Sequence, residues 1–111
     1  MASDFTSILD EYADHLTHER SLSIHSVRAY RGDIEAFFEH LSRNNIDALD
    51  QVQTAHVRSW LATMQVRGGA RTTLSRRAVA VRLFTKWATK RGHMPVDIAV
   101  NLATPKPHRV L

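Results

Sequence analysis

Apolar residues return at helical intervals in four stretches of the chain, and no stretch alternates with the period of two that a strand requires. The first stretch runs from about Asp4 to Glu19, where Phe5, Ile8, Leu9, Tyr12 and Leu16 share one helical stripe, with Ser3 or Asp4 as its N-cap. The second opens after Leu22, with Ser23 as N-cap, and runs to Leu41 or Ser42. Val27, Tyr30, Ile34, Phe37, Phe38 and Leu41 give it a wide apolar face. Gly32 interrupts this helix, marking either a close approach by another helix or DNA, or a tolerated surface position.

Asn44 and Asn45 end the second helix, and residues 46–53 form a polar connection. Thr54 then caps a third helix to about Val66, with Val57, Trp60, Leu61 and Met64 inward. Arg67-Gly68-Gly69-Ala70 is a breaker, because a glycine takes the positive φ that a helix end requires. The fourth helix spans about Thr72 to Lys90, with Leu74, Ala78, Val81, Phe84 or Thr85, and Ala88 on its inner face. Gly92 supplies its C-cap and Pro95 bars extension. One short turn over Asp97-Ile98-Ala99 follows. The segment from Ala103, with Pro105 and Pro107, is extended and linker-like. The pattern predicts an all-α chain: a four-helix bundle over residues 1–102, a short C-terminal turn, and an extended linker over 103–111.

Composition narrows the class. A chain of 111 residues holds one compact domain, and 43% hydrophobic with 23% charged residues is ordinary for a globular protein. No cysteine is present, so disulfide and thiolate chemistry is excluded. The first residues lack the basic start and apolar run of a signal peptide, and no stretch reaches the roughly 20 apolar residues of a membrane span. A cytoplasmic protein without membrane contact is expected.

Charge is divided unevenly. Residues 1–64 carry ten acidic and five basic residues, whereas residues 65–111 carry one acidic and ten basic ones. Between Gln65 and Val96 there are eight Lys or Arg and no acid. Such a block is either the footprint of a nucleic-acid binder or a solvated basic face.

Candidate chemistry is sparse. Seven histidines are scattered, and the pair His15 and His18 lacks the converging ligands a metal site needs. No serine sits in a Gly-x-Ser-x-Gly elbow, and Gly68-Gly69 lacks the Lys-Ser/Thr of a phosphate loop. The carboxylates of the first two helices read as solvated outer faces, and the aromatic residues as core. No catalytic residue, metal ligand or cofactor is assigned.

Two helix starts carry the same chemistry. The second helix opens with Ser23, His25, Ser26, Arg28 and Arg31; the fourth opens with Arg71, Thr72, Thr73, Ser75, Arg76 and Arg77. Free N–H groups and partial positive charge at a helix start suit phosphate oxygens, and hydroxyls and guanidinium groups add donors. Thr72, Arg76 and Ala80 lie opposite the inner face, which makes Arg76 the leading candidate for a groove contact. Arg77 and Arg82 flank the stripe, where a DNA contact and an ion pair with the acidic first half are alternatives.

The stretch His18-Glu19-Arg20-Ser21-Leu22-Ser23, with Ser26 and Ala29-Tyr30-Arg31-Gly32-Asp33 after it, resembles the ERGLS…AYRRD segment of Xer-type tyrosine recombinases. Arg67 to Phe84 is similar to that family's RGLS…ARRLSALRSFY segment, Asp97-Ile98-Ala99 to its NPA turn, and Pro105 to Leu111 to its linker. The resemblance covers nearly the whole chain in the right order. It implies a SAM-like core-binding domain, one half of a clamp around double-stranded DNA at a recombination site. The second and fourth helices would face the major groove, and further recombinase subunits would complete a tetramer. It also implies that catalysis, in chromosome dimer resolution or DNA integration, belongs to a separate C-terminal domain. Ser21 departs from the family's usual glycine, and Ala78-Val79-Ala80 from Leu-Ser-Ala. The alternatives are a phage or transposon integrase domain of the same fold, and a helical protein-interaction module with a basic face.

Overall fold

The computed structural model describes residues 3–102, with side chains from Phe5 onward; the linker expected over 103–111 lies outside what is described, and Ser3 and Asp4, expected as N-cap, already have helical backbone. Four helices make up the described chain: α1 (Ser3–Asp14), α2 (Ile24–Arg43), α3 (Thr54–Val66) and α4 (Arg71–Lys90). No strand occurs among the described residues, in keeping with the apolar periodicity.

The first helix departs from expectation. Its α-helical hydrogen bonding stops at Asp14, and His15–Glu19 form a wider π turn closed by the Arg20 N–H on the His15 carbonyl at 3.1 Å. Ser21 then takes φ +53°, which lets the Leu22 N–H reach back to the Leu16 carbonyl at 3.0 Å. This is the position where the resembled family carries glycine, and a side chain there is strained by about 1 kcal/mol.

α2, α3 and α4 end alike. In each, the residue after the C-cap has positive φ (Asn45 +64°, Gly68 +84°, Gly92 +81°). The next N–H then bonds a carbonyl five residues back, as Gly69 does to Met64 at 2.9 Å and His93 to Ala88 at 2.8 Å. Gly69 has a different reason to be glycine, since a Cβ there would meet the Met64 carbonyl at 3.0 Å. Among the described residues, a Cβ at Gly32 would meet nothing within 4 Å.

Two further expectations are corrected. Thr54 is the first residue of α3 rather than its cap; Gln53 is the cap, with its N–H donating to His56 Nδ1 at 2.8 Å. The Thr54 hydroxyl instead donates to the Ile98 carbonyl and pins the C-terminal turn to α3. The 46–53 connection is not wholly polar, because it folds a 3-10 turn (Leu49–Gln51) that buries Leu49 and Val52.

α4 lies at the centre of the bundle. Ala78, Ala80, Val81, Phe84 and Ala88 have no exposed surface, and the small alanines admit neighbours on more than one side. Ring contacts tie the helices together: Phe5 stacks on Phe38 at 4.5 Å, Phe37 meets Trp60 at 5.1 Å, and Phe84 meets Tyr12 at 5.1 Å and Phe38 at 5.4 Å. Burial on several sides explains why Ala80 is inside, although it was placed opposite the inner face.

Thr85, fully buried, donates to Asp97 Oδ1 at 2.8 Å, and the same oxygen accepts the Ala99 N–H at 3.1 Å. Asp97 thereby folds the short turn and ties it to α4.

Candidate nucleic-acid interface

The two helix starts that the sequence presents as equivalent differ in their hydrogen bonding. At α2, the Ser23 oxygen accepts the Ser26 N–H at 3.1 Å, and its hydroxyl donates to Ser26 Oγ at 3.2 Å. Both hydroxyls therefore serve the helix itself. His25 and Arg28 are exposed and make no side-chain hydrogen bond or ion pair among the described residues. Arg31 does: its Nη2 donates to Asp10 Oδ1 on α1 at 2.6 Å.

At α4 the N-cap is Ala70, whose backbone is extended and whose side chain offers no acceptor. The first turn is thus left with N–H groups at Arg71, Thr72 and Thr73 that no side chain caps. Arg71 and Thr72 are exposed and Thr73 is half-buried. The three carry a guanidinium and two hydroxyls directly around those donors.

One turn further, Arg76 is engaged within the protein. Asp33 of α2, 1% exposed, receives Arg76 Nε at 2.9 Å and Arg76 Nη2 at 2.6 Å as a two-pronged pair. Arg77 Nε adds a third bond to Asp33 at 3.1 Å, and its Nη1 donates to Met64 Sδ at 2.8 Å while the guanidinium lies over the Trp60 ring. The Asp33 hydrogen bonds hold the Arg76 pKa above its ordinary value. Arg76 thus leans across to α2 rather than away from the core, although its side chain stays 46% exposed. Arg77 realises the ion-pair alternative. Asp33, taken for a solvated carboxylate, is a buried anchor that ties the start of α4 to the middle of α2. Its place beside Ile34 on the Tyr30–Phe37 stripe was the signal available in the sequence.

Arg82, also engaged within the protein, lines a depression of about 500 Å³ with Val79, Leu83, Lys86, Asp97, Ala99 and Val100. The structure therefore brings Arg71, Thr72, Thr73, Arg76 and Arg77 together on two turns of α4, with Arg31, Ser23 and Ser26 holding α2. Among the described residues, no group of three metal-ligating side chains converges.

The model of the phage integrase N-terminal SAM-like domain family matches residues 9–92. The Tyrosine recombinase XerC of Mycobacterium leprae (strain TN) is 44% identical over 105 residues, which are 95% of this chain and 35% of that protein. The Tyrosine recombinases XerC of Mycobacterium bovis (strain BCG / Pasteur 1173P2) and Mycobacterium tuberculosis (strain ATCC 25177 / H37Ra) are each 42% identical with the same coverage. The chain thus spans about a third of the length of these curated relatives. No solved structure matches the chain.

Proposed function

The chain belongs to the phage integrase N-terminal SAM-like domain family, and on that premise we propose that it is the DNA-gripping, core-binding half of a site-specific tyrosine recombinase. The observation that carries this reading is the uncapped start of α4, where open N–H groups are surrounded by Arg71, Thr72 and Thr73. Such a start accepts a phosphate oxygen without displacing any bond of the fold.

Arg71, Thr72, Thr73, His25 and Arg28 are the direct contacts in this reading, with Arg82 at its edge. Ser23 and Ser26 shape the α2 start. Arg31, Arg76 and Arg77 set the spacing between helices through Asp10 and Asp33, and the exposed flank of Arg76 adds positive charge. Residues 1–102 form the gripping domain and 103–111 a linker towards a catalytic domain that would carry the strand exchange. Double-stranded DNA is the partner, further recombinase subunits complete the assembly, and the cytoplasm is the place of work. No helix among the described residues is long and apolar enough to cross a membrane.

The test is a salt titration of binding to a palindromic recombination-site duplex and a scrambled duplex. Affinity should fall log-linearly with salt, with a slope of about −0.9 per phosphate neutralised, and mildly favour the site. Arg71→Ala should lower that slope by about 1 on both duplexes. Binding insensitive to salt, or absent at low salt, would overturn the reading in favour of a protein-interaction role.

A further inference from the structure

Away from the α4 start, a depression of about 260 Å³ opens between the segment after the π turn and the second half of α4. His15, Arg20, Leu83, Lys86, Trp87 and Lys90 line it, and no carboxylate does. The helical period puts residues 83, 86, 87 and 90 on one side of α4. The π turn and the positive φ of Ser21 carry Arg20 to the opposite wall.

The neighbouring charges explain why this cluster is unusual. Elsewhere in the fold arginines meet acids: Arg31 meets Asp10, and Arg76 and Arg77 meet Asp33. The acids nearest the depression are already engaged. Glu19 accepts from Arg91 at 2.8 Å and from His15 at 2.7 Å, and Glu11 pairs with Arg91 at 3.4 Å and His93 at 3.0 Å. Arg20, Lys86 and Lys90 are left with no ion pair among the described residues. Three like charges around one hollow repel each other unless an anion joins them. Trp87 also lines the depression, and although its Nε1–H is buried and without a partner among the described residues, the indole lies close enough to report on what enters there.

We infer that Arg20, Lys86 and Lys90 form a second anion seat, which takes a single phosphate group, in addition to the start of α4. A guanidinium fork with two ammonium point charges suits the tetrahedral oxygens of a phosphate. The inference rests on the DNA reading for its natural occupant, a backbone phosphodiester. Free phosphate offers the same chemistry from another source.

The test compares the wild-type chain with the triple variant Arg20→Gln/Lys86→Gln/Lys90→Gln, all at exposed positions. Duplex binding is followed against salt, and the Trp87 indole N–H is followed by NMR during titration with a duplex and, separately, with inorganic phosphate. The triple variant should lose about 1 from the salt slope, as expected for one shared phosphate, and should lose the Trp87 response. A wild-type response to the duplex alone assigns the seat to backbone phosphate; a response to both ligands makes it a general phosphate seat. An unchanged slope with a silent Trp87 overturns the seat, while the DNA reading stands if Arg71→Ala still lowers the slope. Absent duplex binding overturns the DNA occupant, and an inorganic phosphate response lost in the triple variant would then support the free-phosphate source.

Discussion

The starts of α2 and α4 are built from the same kinds of residue, yet the fold uses them differently. At α2 a serine cap takes up one of the free N–H groups, and the two hydroxyls bond each other. At α4 an alanine stands at the cap, and the hydroxyls of Thr72 and Thr73 lie inside the first turn. The cap hydroxyl of Ser23 serves its own helix, whereas the hydroxyls of Thr72 and Thr73 make no hydrogen bond among the described residues and stay available to a ligand. The cations differ in the opposite sense. Arg28 at α2 is exposed with no ion pair among the described residues, while Arg76 and Arg77 at α4 converge on one buried carboxylate. One start is stabilised locally, and the other is held in place from a distance.

The strongest way to break this contrast is to remove the distant anchor. Arg76→Ala with Arg77→Ala leaves Asp33 buried without a partner, and should cost about 3–5 kcal/mol in a denaturant titration. Arg31→Ala, which releases only a surface pair with Asp10, should cost no more than about 1 kcal/mol. Equal losses would show that Asp33 is no anchor.

Exchanging the caps sharpens the comparison. Ser23→Ala should lower stability by about 1 kcal/mol, whereas Ala70→Ser, where the backbone is already extended, should raise it by about 0.5–1 kcal/mol. The informative readout is duplex affinity. Ala70→Ser should weaken binding while stabilising the fold, because the new hydroxyl occupies N–H groups that the proposed phosphate contact would use. A variant that gained in both would refute the role given to the uncapped start.

The approaches to the two helices also differ. The chain enters α2 through Ser21 at φ +53°, but enters α4 through glycines. Ser21→Gly should therefore raise the melting temperature, by an amount corresponding to up to about 1 kcal/mol, whereas Gly68→Ser should lower it.

The smallest effect concerns acid. Glu19, in the π turn before α2, has its pKa lowered first by the His15 hydrogen bond and then by Arg91. A lowered carboxylate pKa means stabilisation that is present above the ordinary carboxylate range and is lost as pH falls through the lowered value. The amide protection factor at Leu22, with the intrinsic pH dependence of exchange divided out, should fall in acid more than that at Leu74 in the first turn of α4. Equal falls would remove Glu19 from the account.

Much of this molecule is legible along the chain. The stripes of α2 and α4, the glycine and asparagine stops and the Ser23 cap follow from local rules, because the 3.6-residue period and positive φ are properties of a few neighbouring residues. The basic block from Gln65 to Val96 was equally plain. Local rules misled where a residue had more than one neighbour to satisfy. Ala80 was placed outside because one stripe was assumed, although α4 packs on several sides. Thr54 was read as a cap, although its hydroxyl serves a carbonyl 44 residues away.

What the sequence determined by itself, then, was four helices, their ends, a basic second half and the resemblance that led to the integrase family. The tertiary structure alone decided which charges are spent inside the molecule. Arg76 reaches Asp33 across 43 residues of sequence, and Arg91 reaches Glu19 across 72. Coulombic and hydrogen-bond energies depend on distances of a few ångströms, and the folded path sets those distances. The same path leaves Arg20, Lys86 and Lys90 around one hollow with no acid to meet them.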